Sequence, residues 1–175
     1  VALAAMWAVP SASAKALDWG PCPGAEELDP RQQCAILDVP LDYAAPAGET
    51  IGIAVSRIPA EVPAARRGPL VYNPGGPGES GINGPTILAQ TLPQSVRDQY
   101  DLVGFDPRGI NFSAPVSCGL APEDQDVLRF IPYPDADGNI AENVAYSQRA
   151  AAGCAASATA PLLPHITTAN TARDI

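Results

Sequence analysis

The sequence predicts an α/β fold. Two short continuous apolar runs, "GPLVYN" at 68–73 and "YDLVGFD" at 100–106, are bounded by turn residues, as expected of strands buried on both faces of a parallel sheet. Between them, residues 82–100 carry a helical pattern interrupted by Pro85 and Pro93, so the three segments read as one β-α-β unit. A glycine-rich turn, "YNPGGPGESG" at 72–81, joins its first strand to its helix.

Two further strands precede that unit. "CAILDVPLDY" holds a short apolar run ending at Pro40, and "ETIGIAVSRI" puts Ile51, Ile53 and Val55 on one face with small residues on the other, a period-two, β-branched pattern. Beyond Asp106 the pattern changes. Residues 114–165 form an excursion of turns, "APVSCGLAPED" and "PYPDADGN", with a short helix expected over 123–130 and a longer one in "IAENVAYSQRAAAGCAASA". Thr167 or Thr168 then N-caps a last helix, "ANTARDI".

A chain of 175 residues with 46% hydrophobic and 17% charged residues can bury the core of one domain. Its 15 Gly and 20 Pro lie below the level of low-complexity sequence and punctuate loops. Ten Lys and Arg against nineteen Asp and Glu leave a net charge of −9 without a basic run, which excludes the electrostatic footprint of a nucleic-acid binder.

Residues 1–9 are apolar and lead into Ala12-x-Ala14, the pattern of a signal-peptidase site, so residues 1–14 are expected to be the remnant of an export signal and 15–175 the mature segment. No later stretch approaches the ~20 continuous apolar residues of a membrane span. Four cysteines without a C-x-x-C pair agree with an oxidising compartment and disfavour zinc. Three pairings are possible; closure of the shortest loops favours Cys22–Cys34 and Cys118–Cys154, each contributing roughly 3–4 kcal/mol in a chain-entropy account.

The glycine turn admits three chemical readings besides a plain turn. A phosphate-binding P-loop would need Lys where Ile82 stands. Gly76-x-Gly78-x-x-Gly81 matches a dinucleotide fingerprint, with Asp106 closing the next strand, but Pro77 removes an N–H from the cradle and two prolines break the helix behind it. The third reading is an oxyanion loop. Glycines let a substrate oxygen approach backbone N–H donors closely, and prolines hold those dipoles oriented before charge develops.

The stretches "GPLVYNPGGPGESG", "YDLVGFDPRG", "SAPVSC" and "TTANTARDI" together resemble the N-terminal half of the secreted bacterial tripeptidyl aminopeptidase-like serine hydrolases. These are α/β-hydrolases related to the prolyl aminopeptidases. The resemblance implies a mostly parallel sheet flanked by helices and a peptide substrate with a free N-terminus, with no metal or organic cofactor. It makes Gly76 the expected oxyanion donor with Gly75 its neighbour, and gives Asp106 and Arg108 a structural pairing at the edge of the active site. The cysteines also fall where the family has them. Ile110-Asn111-Phe112 departs from the small residues and second Gly that follow D-P-R-G in relatives.

Enzymes of this kind place their serine in a G-x-S-x-G elbow, followed by an acid and then a histidine. The 175 residues hold no such elbow: Ser80 has the wrong glycine spacing, and Ser113 and Ser117 have no glycine frame. The single histidine, His165, precedes the expected elbow and reads as a surface or loop residue. The resemblance implies truncation just before the nucleophile, hence an inactive segment that aggregates or stays partly unfolded when isolated, because its open sheet edge is apolar. An esterase on the same scaffold, or a non-catalytic exported binding protein, are the competing functions. Asp135-x-Asp137-x-Asn139 lacks the Gly and Glu of a calcium loop, and Asn111-Phe112-Ser113 is a glycosylation sequon of a kind that arises often by chance.

Overall fold

A computed structural model describes residues 16–24, 27–76, 78–125, 134 and 136–175. The export segment 1–14 lies outside these, as do Pro77, Asp135 and most of the helix expected over 123–130, whose first two residues close a short 3-10 turn, Pro122–Asp124.

All four expected strands form: β1 (Gln33–Pro40), β2 (Thr50–Ile58), β3 (Gly68–Tyr72) and β4 (Tyr100–Phe105). Between β3 and β4 the prolines divide the helical stretch into α1 (Gly84–Thr91) and α2 (Gln94–Arg97), since Pro93 can neither donate to the preceding turn nor continue it. The excursion contributes α3 (Ala141–Ala156) and a 3-10 stretch over Ala160–His165. The chain then enters α4 (Thr168–Asp174), whose N-cap Thr167 accepts a bond from the Asn170 N–H through its side chain.

The sheet order is β1-β2-β4-β3, and only β3 and β4 run parallel; β1 with β2 and β2 with β4 are antiparallel. The expectation of a mostly parallel sheet is therefore corrected for the described strands. The turn-rich residues 41–49 reverse the chain into a long β1–β2 pairing, and β2 lies antiparallel on the free side of β4. The β-α-β unit keeps its parallel pair because its helices return the chain to the same end of the sheet.

Each strand presents alternate residues to opposite faces. One face gathers Ala35, Val39, Ile51, Ile53, Val55 and Phe105, with Trp19, Leu17 and Leu162 packed against it. The other face, with Ala54, Ser56, Ile58 and Leu102, lies under α1. There the approach is of backbone on backbone: a methyl on Gly81 would stand 2.1 Å from the Phe105 carbonyl oxygen, and one on Gly104 would stand 2.2 Å from that of Gly81. Only glycine fits at either position. β3 is not buried on both faces as its apolar run suggested; Pro69 and Val71 are exposed on the aliphatic face.

Disulfides join Cys22 to Cys34 and Cys118 to Cys154. The first ties the N-terminal segment to the start of edge strand β1, where Gly20 and Cys34 exchange backbone bonds of 2.8 Å. The second fastens α3 to the turn after β4. Arg149 reinforces that attachment from α3 by a bidentate bond to Asp124, at 2.7 and 2.8 Å.

Candidate active site

Strands β3 and β4 end side by side, and the turns that follow them build the site. The first is the glycine loop. Gly75, Gly76 and Gly78 have φ of 80°, 116° and 93°, values that L side chains rarely adopt, so the loop's curvature depends on its glycines. A methyl on Gly76 would also stand 2.8 Å from the Gly78 nitrogen. The Gly75 N–H points at Asn73 Oδ1 in a long bond of 3.4 Å. Gly76 lies exposed, and among the described residues its N–H has no acceptor.

The exit of this loop is anchored from three sides. Ile82 offers its carbonyl to Ser56 Oγ at 2.8 Å and to Gln32 Nε2 at 2.7 Å, while Thr86 donates to Gln32 Oε1 at 2.8 Å. Helix α1 starts only at Gly84, so no helix N-terminus abuts Gly76 and Gly78 as a dinucleotide cradle requires.

The second turn, residues 106–113, begins with a fully buried carboxylate. Asp106 Oδ1 accepts from the Ser80 hydroxyl at 2.6 Å and the Gly81 N–H at 2.9 Å, and its Oδ2 accepts from the Phe112 N–H at 3.1 Å. Its backbone is held as firmly: the N–H donates to the Ala54 carbonyl at 3.0 Å, and the carbonyl accepts from Ser113 Oγ at 2.7 Å. Ser113, itself buried, accepts from the Ala54 N–H at 2.8 Å, so the sequon's hydroxyl is committed to the interior.

Two residues on, Arg108 uses every N–H of its guanidinium. Nε and Nη2 grip Asp174 at 2.7 and 2.6 Å, and the remaining donors reach the carbonyls of Leu41 at 3.1 Å, His165 at 3.2 Å and Pro40 at 3.3 Å. Both side chains of the ion pair are within 1% of complete burial. The bond to Asp174 is the main reason the Arg108 pKa lies above its ordinary value, against the opposing cost of burial. Tyr43 donates its hydroxyl to Asp174 Oδ1 at 2.8 Å, and burial first, then this bond, pushes its phenol pKa up.

The structural pairing expected of Asp106 and Arg108 is thus not with each other. The carboxylate faces the glycine loop and the guanidinium faces α4. After Arg108, Gly109 at φ 83° and Asn111 at φ 42° carry the left-handed steps of the turn. Asn111 occupies the departure from the family's small residues, and Asn is the side chain after glycine that tolerates this region best. His165 gives only its backbone carbonyl to the site, from the 3-10 stretch before α4.

Sequence reasoning missed Ser80 as the partner of Asp106, Asp174 as the partner of Arg108, and Tyr43. The Arg108–Asp174 bond spans 66 residues, and no local spacing signals a contact of that separation.

Among characterised proteins, the chain is 40% identical over 168 residues to the tripeptidyl aminopeptidase of Streptomyces lividans, across 91% of this chain and 30% of that enzyme. It is 36% identical over 163 residues to the serine protease Hip1 of Mycobacterium tuberculosis, across 91% of this chain and 31% of the relative. The chain is homologous to the tripeptidyl aminopeptidase-like hydrolases. Carboxylesterase B of Mycobacterium tuberculosis is 33% identical over 145 residues, across 82% of this chain and 28% of that relative. The chain spans about 30% of the length of the relatives it matches. No protein-family profile matches it. The mixed sheet flanked by helices is compatible with the α/β architecture, and no helix among the described residues is long and apolar enough to cross a membrane.

Proposed function

We propose that these residues form the oxyanion side of a secreted serine hydrolase, an aminopeptidase that releases short peptides, of tripeptidyl type, from free N-termini. One observation carries the reading: the Gly76 N–H, exposed and without an acceptor among the described residues, sits in a turn of positive-φ glycines at the end of β3. In acyl transfer the carbonyl oxygen gains charge as a serine adds to the carbon, and a pre-oriented N–H at that oxygen lowers the barrier. Gly76 is the donor in this scheme, with Gly75 turned toward Asn73. Removing one such donor costs typically 100- to 1000-fold in rate.

The nucleophile, its histidine and its acid lie outside the 175 residues in this scheme, since no G-x-S-x-G occurs within them. The segment alone is therefore inactive. Both disulfides accord with export, as thiols stay reduced in the cytosol.

The test uses the full-length gene product. A fluorophosphonate probe should label it once, and a tripeptidyl anilide with a free amine should be cleaved while its acetylated form is not. Equal cleavage of both, or preference for a simple acyl ester, turns the reading to an esterase, which the similarity to carboxylesterase B favours as the second choice. Absence of labelling leaves a binding protein on a hydrolase scaffold.

A further inference from the structure

We infer that the turn Asp106-Pro107-Arg108 is a two-sided register element that sets the oxyanion loop and α4 relative to each other, making Asp106 and Arg108 positioning residues for catalysis. The inference rests on the oxyanion reading of the glycine loop. A single residue, Pro107, separates its two grips. On one side, Asp106 holds the loop exit through Ser80 Oγ and the Gly81 N–H. On the other, Arg108 holds α4 through both oxygens of Asp174.

The turn can act this way because it cannot itself move. Asp106 is fixed to central strand β2 through Ala54 in both directions, once directly and once through Ser113. Pro107 restricts the backbone between the two grips. Arg108 reaches the consecutive carbonyls of Pro40 and Leu41 at the end of β1 and that of His165 before α4, so a displacement would break bonds to two separate segments together.

Each grip is also charge-assisted and out of water. The Asp106 carboxylate is fully buried and receives three donors, and the Arg108–Asp174 pair is bidentate and almost wholly buried. Such contacts hold direction as well as distance, which a cluster of aliphatic contacts does not. Ser80 thereby acquires a purpose different from the nucleophile its hydroxyl invites: it is a strut, with its proton committed to Asp106.

This arrangement matters for rate because an oxyanion donor works only at hydrogen-bond distance from the oxygen that forms on attack. The glycine loop brings the donor, so a shift of the loop against the turn that anchors it is an error in the reacting geometry, and a misplacement of about 1 Å costs on the order of 100-fold. Substrate binding away from the reacting carbon is unaffected.

The experiment takes the full-length protein and the variants Ser80→Ala, Asp106→Asn, Asp174→Asn and Arg108→Lys, each checked by circular dichroism. Ser80→Ala is the mild variant, because Asp106 keeps its two backbone donors. It should lower kcat about tenfold with KM within about twofold, and Asp106→Asn should lower kcat about 100-fold. Arg108→Lys keeps the charge but loses the fork, and should fall as far as Asp174→Asn. Amide hydrogen exchange supplies a readout apart from activity. Ser80→Ala and Asp106→Asn should speed exchange over residues 74–82, while Asp174→Asn and Arg108→Lys should speed it over 168–174.

Folded Ser80→Ala and Asp106→Asn proteins with unchanged kcat, or with only KM altered, overturn the inference. So does unchanged exchange in both segments. A wild-type protein that takes no fluorophosphonate label refutes the hydrolase reading itself and with it the catalytic consequence, whereas a labelled wild type with indifferent variants refutes the register alone.

Discussion

The two faces of the sheet are closed by different means. Under α1, main chain meets main chain: Gly81 against Phe105, Gly104 against Gly81, and the Ile82 carbonyl shared between Ser56 and Gln32. On the opposite face, aliphatic side chains cluster around Ile53 and Val55, and the covering is partial, with Val71 at 41% exposure. Residues of that face and the end of α4 line a cavity of about 320 Å³. The first face is intolerant because it is specified by distance and hydrogen bonding. The second is governed by area, which many side chains can supply. The candidate site grows from the first, which is where precise placement has a use.

The largest effect should come where α4 meets the second face through charge. Asp174→Ala leaves the Arg108 guanidinium buried without its counter-ion and should destabilise by about 3–5 kcal/mol, read from the urea midpoint. The double change Arg108→Met with Asp174→Leu should recover most of that loss, since the penalty belongs to the orphaned charge. A double variant as unstable as the single one would show that the carbonyl contacts of Arg108 matter more than the pair.

On the closed face, Gly81→Ala should cost about 3 kcal/mol, because the methyl meets a backbone carbonyl that cannot swing aside. A loss under 1 kcal/mol would show that the loop and β4 can separate, and would weaken the contrast between the faces. On the partly covered face, Val71→Thr should change the same midpoint by no more than about 0.5 kcal/mol, in keeping with its exposure.

The smallest effect concerns pH, at the rim of the closed face. Arg31 bonds Asp29 at 2.7 Å and Glu61 at 2.8 Å, and these bonds are the main reason both carboxyls titrate below their ordinary values. A carboxyl whose folded pKa is lowered stabilises the fold above its unfolded value near 4, and that contribution is lost as pH falls through the folded pKa. Arg31 is 46% exposed, so solvent screens most of the benefit. Arg31→Gln should lower Tm by no more than about one degree at pH 6 and by less at pH 3, followed by calorimetry. An equal loss at both pH values would assign the role of Arg31 to packing.

Much of the architecture is legible in the amino-acid sequence. The alternation of Ile51, Ile53 and Val55 does mark one face of β2, and Pro93 does end a helix. Other readings failed for identifiable reasons. A continuous apolar run such as "GPLVYN" looks the same whether one face or two are covered, so the exposure of Val71 was invisible. Connections of the length seen here admit either strand direction, so the antiparallel place of β2 beside β4 had no local sign.

The candidate site divides along the same line. The sequence by itself determined which residues can turn, stiffen and donate, because left-handed backbone at Gly76, a fixed φ at a proline and a capping hydroxyl at Thr167 are properties of single residues and their neighbours. The tertiary structure alone decided who meets whom. It set Asp106 against a loop 25 residues upstream and Arg108 against a helix 66 residues downstream. A buried charge must find its partner wherever the packed strands and helices bring one, and that location follows from the assembled fold.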